Sequence, residues 1–236
     1  MEADATFPDS NGWNWSTDGA QSNTYLANLT YKTDPMQDRY AKSYELLFYY
    51  NTASHESYKS PGPVLPGPHK GTSGMYFGGK QVIYHPDGDI PGTPGAFSLS
   101  LFGSVTNSFD QHNAAGLSQT ANLGLTAKGI FKSRPYDTVS ARVSYTRNTT
   151  DEQNFLQQTN LALGGSGYTV GRNEYALQVD ANILITPSVI LSPYIVRTFN
   201  TNSWQMPYYT GKPSNGIAYG VIATFLFDKM LGLSPS

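Results

Sequence analysis

The chain has 236 residues, a formal net charge of −2 and only 14% charged side chains, with no basic run that would hold a nucleic-acid backbone. It contains no Cys, which excludes disulfides, thiolate metal sites and a cysteine nucleophile. No apolar run reaches the roughly 18 residues of a membrane-spanning helix, which leaves strand-built membrane proteins open because their hydrophobicity only alternates.

The first residues, Met1-Glu2-Ala3-Asp4-Ala5-Thr6-Phe7-Pro8, lack the basic and apolar regions of an export signal. Pro8, Asn11, Gly12 and Gly19 make 1–21 a loop or a partial strand. Alternation and turn residues then predict strands near 23–32, 41–51, 73–84, 95–107, 117–131, 138–147, 173–185, 188–199 and 215–227. No amphipathic helix is expected. The whole chain, 1–236, reads as one β-barrel region, with strands over 22–227 and a tail at 228–236.

The segment 173–185 shows the pattern most cleanly. Tyr175, Leu177, Val179, Ala181, Ile183 and Ile185 are apolar, while Glu174, Gln178, Asp180 and Asn182 between them are polar. Side chains of a strand alternate between faces, so one face is greasy and the other wet. The expected strands run to about 10–13 residues, beyond the common soluble length of about 5–6. Their connections mostly alternate short and long: 33–40, 85–94, 132–137 and 186–187 against 51–72, 148–172 and 200–214, with 108–116 the weak member. Outer-membrane barrels have short periplasmic turns and longer external loops.

The greasy face is also sorted by depth. Tyr31, Phe97, Phe131 and Phe227 fall near the short-turn ends, and Tyr25, Tyr145, Tyr175 and Tyr219 toward the opposite rim. Between them lie Leu99, Leu101, Leu123, Leu125, Val143, Leu177, Val179 and Val221. Two aromatic girdles around an aliphatic band match the two interfaces of a bilayer. The fold expected is therefore all-β, an antiparallel up-and-down transmembrane barrel. A soluble β-sandwich or lectin-like carbohydrate-binding module that buries the odd face is the alternative, as is an outer-membrane scaffold with no transport role.

Several segments resemble the carbohydrate-selective porins of the OprB family. Gly74-Met75-Tyr76-Phe77-Gly78-Gly79-Lys80-Gln81-Val82-Ile83-Tyr84 is similar to one of its strands, with Lys80 at a position acidic in the family. Leu123-Gly124-Leu125-Thr126-Ala127-Lys128-Gly129-Ile130, followed by Arg134-Pro135-Tyr136-Asp137, resembles its Gly-Leu…Lys-Gly…Gly-Arg-Pro-x-Asp hairpin. The pair 175–185 and 188–198 resembles its penultimate hairpin, with Ser192-Pro193-Tyr194 replacing Gln-Pro-Asp. The resemblance implies passive sugar diffusion across a bacterial outer membrane, no enzyme activity, and a closed barrel of about 16 strands. Nine strands match its C-terminal half. The chain is thus expected to be a fragment that lacks the N-terminal half of the barrel, or a protein that needs partner strands, and a homo-oligomer is a further expectation.

With odd positions facing lipid, Lys80, Lys128, Arg142, Glu174, Gln178, Asp180 and Asn182 line the pore, as do Lys32 and, by the opposite parity of its strand, Glu45. Mixed charges and amides suit mono- or disaccharides, and inward Tyr49, Tyr76, Tyr84 and Tyr194 offer faces on which a sugar ring stacks. The same residues serve equally to hydrate a water-filled lumen or to form cross-strand pairs. Trp204, Tyr208 and Tyr209 belong to an external loop. No catalytic residues, metal or other cofactor are expected, because His55, His69, His85 and His112 have no ligand spacing. Gly164-Gly165-Ser166-Gly167 lacks the Lys and helix of a phosphate loop and reads as external loop.

Overall fold

A computed structural model describes residues 22–56, 68–86, 88, 93, 95–112, 116–206 and 208–230. The expected loop 1–21 and the end of the tail, 231–236, lie outside the described residues. Nine strands form one antiparallel sheet in chain order: β1 (Thr24–Lys32), β2 (Lys42–Glu56), β3 (Pro68–Tyr84), β4 (Ser98–Ser108), β5 (Leu117–Lys128), β6 (Thr138–Asn148), β7 (Asn173–Thr186), β8 (Val189–Phe199) and β9 (Ile217–Phe225). Among the described residues each strand pairs only with its chain neighbours, so there β1 and β9 are the two edges of an open meander.

The registers turn the alternation into rows across the sheet. Leu101, Leu125, Ala141, Val179, Ile195 and Tyr219 stand opposite one another in succession. One residue along each strand, Lys80, Phe102, Gly124, Arg142, Gln178 and Val196 form a row on the other face. Among the described residues nothing packs on the greasy face. Leu123, Val143 and Val221 are 60%, 51% and 64% exposed, and among the described residues the only buried apolar side chains are Leu156 and Val170, both outside the sheet. A sandwich would bury this face under a second sheet, and the described residues supply none.

Aromatic pairs sit at both rims of that face. Tyr25 stacks on Tyr50 at 6.4 Å, and Tyr145 meets Tyr175 at 5.2 Å with the rings tilted, toward the long-loop end. Tyr31 stacks on Tyr44 at 6.5 Å, and Phe225 on Phe227 at 6.5 Å, at the short-turn end. The three pairs that join neighbouring strands, all but Phe225 and Phe227, stabilise a sheet beyond their simple burial.

Four register shifts interrupt the ladders, between Asn51 and Ser54, Val82 and Tyr84, Leu117 and Gln119, and Leu184 and Thr186. The first lets β2 and β3 continue to Glu56 and Pro68, beyond the expected ends at 51 and 73. Gly71, at φ +84°, takes the left-handed conformation that turns this corner without the clash of a side chain. At 15 and 17 residues these strands reach about 50–56 Å, longer than a bilayer's hydrocarbon thickness of about 30 Å.

The expectation of no helix is corrected by α1 (Thr150–Ala162), which occupies the long connection between β6 and β7. The Thr149 hydroxyl accepts from the Glu152 N–H at 3.1 Å and caps its N-terminus. Gly164, at φ +78°, ends it: its N–H donates to Leu161 O at 3.0 Å and that of Gly165 to Asn160 O at 2.7 Å, the paired bonds of a Schellman stop. The buried face is Glu152, Leu156, Thr159 and Asn160. Three of those four are polar, so no apolar stripe advertised the helix. A short turn, α2 (Phe227–Met230), follows β9.

At the opposite end, Arg134 and Asp137 in the β5–β6 turn form an ion pair, and together they hold both backbone groups of Leu184. The Arg134 Nη2 donates to Leu184 O at 3.0 Å, and the Leu184 N–H donates to Asp137 Oδ1 at 3.0 Å. Leu184 lies beyond the last residue of β7 that β6 pairs, Asn182, so these side chains stand in for the ladder that has run out. The Arg134 guanidinium and the Leu184 N–H hold the Asp137 carboxyl below the usual carboxylate range. A depressed carboxylate contributes stability that is fully present above its ordinary value, about 3.9, and is lost as pH falls through its lowered one. Asp137→Asn is therefore expected to unfold more easily than the parent at neutral pH and to converge with it under acid. Urea unfolding followed from pH 7 to pH 3 checks this; a constant gap across that range would rule the ion pair out as the cause.

Candidate functional site

The wet face carries the chemistry, and its side chains fall into two groups. On β2 to β5, Glu45, Tyr76, Lys80, Ser104 and Asn122 border one cavity of about 390 Å³, with Gly78, Gly79 and Gly103 in its wall. Register explains the meeting: Glu45 stands opposite Gly78, two residues from Lys80, and Ser104 opposite both Gly78 and Asn122. Glu45 accepts from Asn28 Nδ2 at 2.9 Å, and Asn122 Nδ2 donates to Ser104 Oγ at 2.7 Å.

On β6 to β8 a polar ladder runs from strand to strand. Arg142 Nη2 donates to Gln178 Oε1 at 2.7 Å, and Gln178 Nε2 donates to Asp180 Oδ1 at 2.9 Å. Tyr194 stands opposite Asp180 in the register. Further along, Asn182 Nδ2 donates to Thr138 Oγ1 at 3.3 Å while its Oδ1 accepts from Ser192 Oγ at 2.7 Å. Donors and acceptors thus hold each other in place along the wall, as a preorganised hydrogen-bonding surface requires.

Four aromatic rings lie flat on this face, each over a glycine. Tyr49 covers Gly74, Tyr76 covers Gly78, Phe102 covers Gly124 and Tyr194 covers Gly220; a Cβ at any of those glycines would meet the ring within 2.9 Å. Missing side chains let the rings recline against the wall instead of projecting across it. Three of the four were legible from parity, and Phe102 shares it.

Tyr84 departs from expectation. The shift after Val82 brings it opposite Leu99, on the greasy row, where its ring meets Phe97 edge-on at 6.1 Å. An added residue at a bulge breaks the parity that sequence counting relies on.

Glu174 does not stand free at the long-loop end. It accepts from the Asn202 N–H at 3.0 Å, which draws the β8–β9 connection over the wet face. Asn160 on α1 holds the same connection, its Nδ2 donating to the carbonyls of Tyr209 and Thr210 at 3.1 and 2.9 Å. Tyr208 is 71% exposed on that connection, and Trp204 is half-buried.

At the short-turn end, Lys32, Lys80 and Lys128 border a second cavity, of about 350 Å³. Its floor is made by the β1–β2 turn, through Thr33, Pro35, Asp38 and Arg39, with His85, Thr93 and Ala96 from the β3–β4 connection. Arg39 Nη2 donates to His85 O at 2.7 Å and joins the two. Asp38 pairs with Lys42 at 3.4 Å; the Tyr40 N–H, then Thr33 and Lys42, hold its carboxyl below the usual range. The turns were expected to be plain connections, and Asp38 and Arg39 carried no signal beyond the i,i+4 spacing of Asp38 and Lys42. No cluster of His, Asp and Glu suited to a metal occurs among the described residues.

Compared with known proteins, residues 2–221 match the model of the carbohydrate-selective porin, OprB family. Among solved structures, the chain is similar to Pseudomonas putida OprB in its high-pH structure, with a TM-score of 0.69 and 19% identity over 91% of this chain and 51% of that one. At that identity the likeness speaks for the fold. This chain spans about half the length of the porin it matches. No curated protein sequence matches it.

Proposed function

This chain belongs to the carbohydrate-selective porin, OprB family, and from that premise we propose that its sheet is part of the wall of an outer-membrane barrel through which mono- and disaccharides diffuse. The observation that carries the reading is the wet face itself: reclining rings beside fixed donors and acceptors. A pyranose has an apolar ring face and a rim of hydroxyls, so it needs a flat surface and a hydrogen-bonding border together. Tyr76 beside Glu45, Lys80 and Asn122 offers one such place; Tyr194 beside Asp180, Gln178 and Arg142 offers another. Asn182 continues that border, Glu174 sets the approach from outside, and Lys128 the exit. Diffusion down a gradient makes and breaks no covalent bond and needs no cofactor.

The greasy face meets lipid in this reading. The edges β1 and β9 then need partner strands, because each unpaired backbone group in hydrocarbon costs several kcal/mol. Further strands of the same polypeptide, or a second copy, complete the ring.

The test is flux. The protein reconstituted as a closed barrel, checked by heat-modifiable gel migration, is expected to swell liposomes in isotonic glucose or maltose. Loss of one stacking ring in Tyr76→Ala is expected to weaken sugar block of the ion current roughly 2–10-fold, the size of an aromatic contact, while leaving the current itself undiminished. A correctly folded barrel that passes ions and no sugar would defeat the sugar-porin reading, and one that passes neither would favour a scaffold.

A further inference from the structure

The lower cavity is not neutral. Lys32 and Lys80 flank Ser43 in one row of the register, and Lys128 enters the same cavity from β5, opposite Ser98. None of the three lysines makes an ion pair with a described residue, whereas the acid in the floor, Asp38, is already paired with Lys42. Arg39 adds a further positive charge there, fixed by its bond to the His85 carbonyl. Among the described residues the other acids of the wet face lie elsewhere: Glu174 at the far end under the β8–β9 connection, Asp180 across on β7, and Glu45 in the neighbouring cavity, hydrogen-bonded to Asn28. Among the described residues charge along the wall is therefore uneven, with Lys32, Lys80 and Lys128, none of them ion-paired there, gathered at the short-turn end.

Resting on the porin reading, we propose that this cavity selects anionic carbohydrates, sugars bearing a carboxylate or a phosphate, over neutral sugars of the same size. Its volume of about 350 Å³ falls within the range of small-molecule sites. Lysine ammonium groups on flexible stems bind either anion as point charges, and serine hydroxyls 43, 98 and 100 in the same wall remain to meet sugar hydroxyls. At 0.1 M ionic strength the screening length is about 10 Å, so the lysines act in concert across such a cavity; at 1 M it is about 3 Å and each acts alone. Focusing of this kind raises local anion concentration and entry rate by tenfold or more in charged clefts.

The experiment compares glucose, glucuronate and glucose 6-phosphate in liposomes carrying the closed barrel. At 0.1 M salt the two anions are expected to enter at least about threefold faster than glucose, with the advantage gone at 1 M. The triple variant Lys32→Gln, Lys80→Gln, Lys128→Gln is expected to erase it, whereas Lys132→Gln, in the β5–β6 turn outside the cavity, keeps it. Whichever anion is faster identifies the preferred group. Equal rates for glucose and both anions in the parent at low salt would overturn the charge proposal and leave the porin reading standing; no flux of any sugar would sink both. A measurement on the parent alone guards against a misfolded triple variant. The reversal potential across a KCl gradient is expected to show chloride preferred over potassium, and a cation preference would overturn the proposal.

Discussion

Val179→Arg is expected to destabilise the membrane-inserted barrel by about 2–4 kcal/mol, while Gln178→Arg, one residue away, changes stability by less than about 1 kcal/mol. Val179 lies in the middle of β7, between Ala141 and Ile195 in the greasy row, and is 43% exposed with nothing packed on it. An arginine there must carry its charge into hydrocarbon or bend it toward an interface. Gln178 faces the other way, between Arg142 and Asp180, so the new guanidinium loses the bond from Arg142 and faces its charge but gains the Asp180 carboxylate as a partner. Equilibrium unfolding in urea from lipid vesicles measures both. Equal losses for the two variants would overturn the assignment of faces.

The second large effect is steric. In Gly124→Val, the first carbon added would sit 2.5 Å from the Phe102 ring, 2.6 Å from the Ala141 carbonyl and 2.8 Å from Arg142 Cβ. The ring can swing away, but the backbone carbonyl on β6 cannot without breaking the β5–β6 ladder. Overpacking of this kind costs about 1–3 kcal/mol. Phe102, lifted off the wall, also projects into the passage, so single-channel conductance is expected to fall along with stability. Gly124→Val with conductance at the parental level would show that the ring does not define the passage there.

Much of this was legible in the sequence because a strand's period is two and a barrel's faces differ in kind. Leu177, Val179 and Gln178 declare their sides by alternation alone, and the alternation of short and long connections indicates which strand ends lie together. What stayed hidden depended on contacts that alternation does not encode. The buried face of α1 is polar, so its signals were local ones at its ends, Thr149 followed by Glu152, and Gly164. Tyr84 changed faces because one extra residue at a bulge resets the count. The cationic cavity needed two turns to meet through Arg39 and the His85 carbonyl, a contact between residues 46 apart that leaves no mark in either turn's composition. That Lys32, Lys80 and Lys128 share the wet face was readable by parity; their convergence on one cavity was not.

The four register shifts all fall near strand ends, leaving the ladders between them unbroken. Deleting one residue from the middle of β7, at Ala181 for instance, would swap every side chain on one side of the cut between oil and water. Gains and losses of single residues are thus tolerable only outside the shifts, and within a strand they come in twos. Length variation among descendants of this chain should therefore collect in the long connections and beyond the bulges, while the central stretches diverge in letters but keep their count.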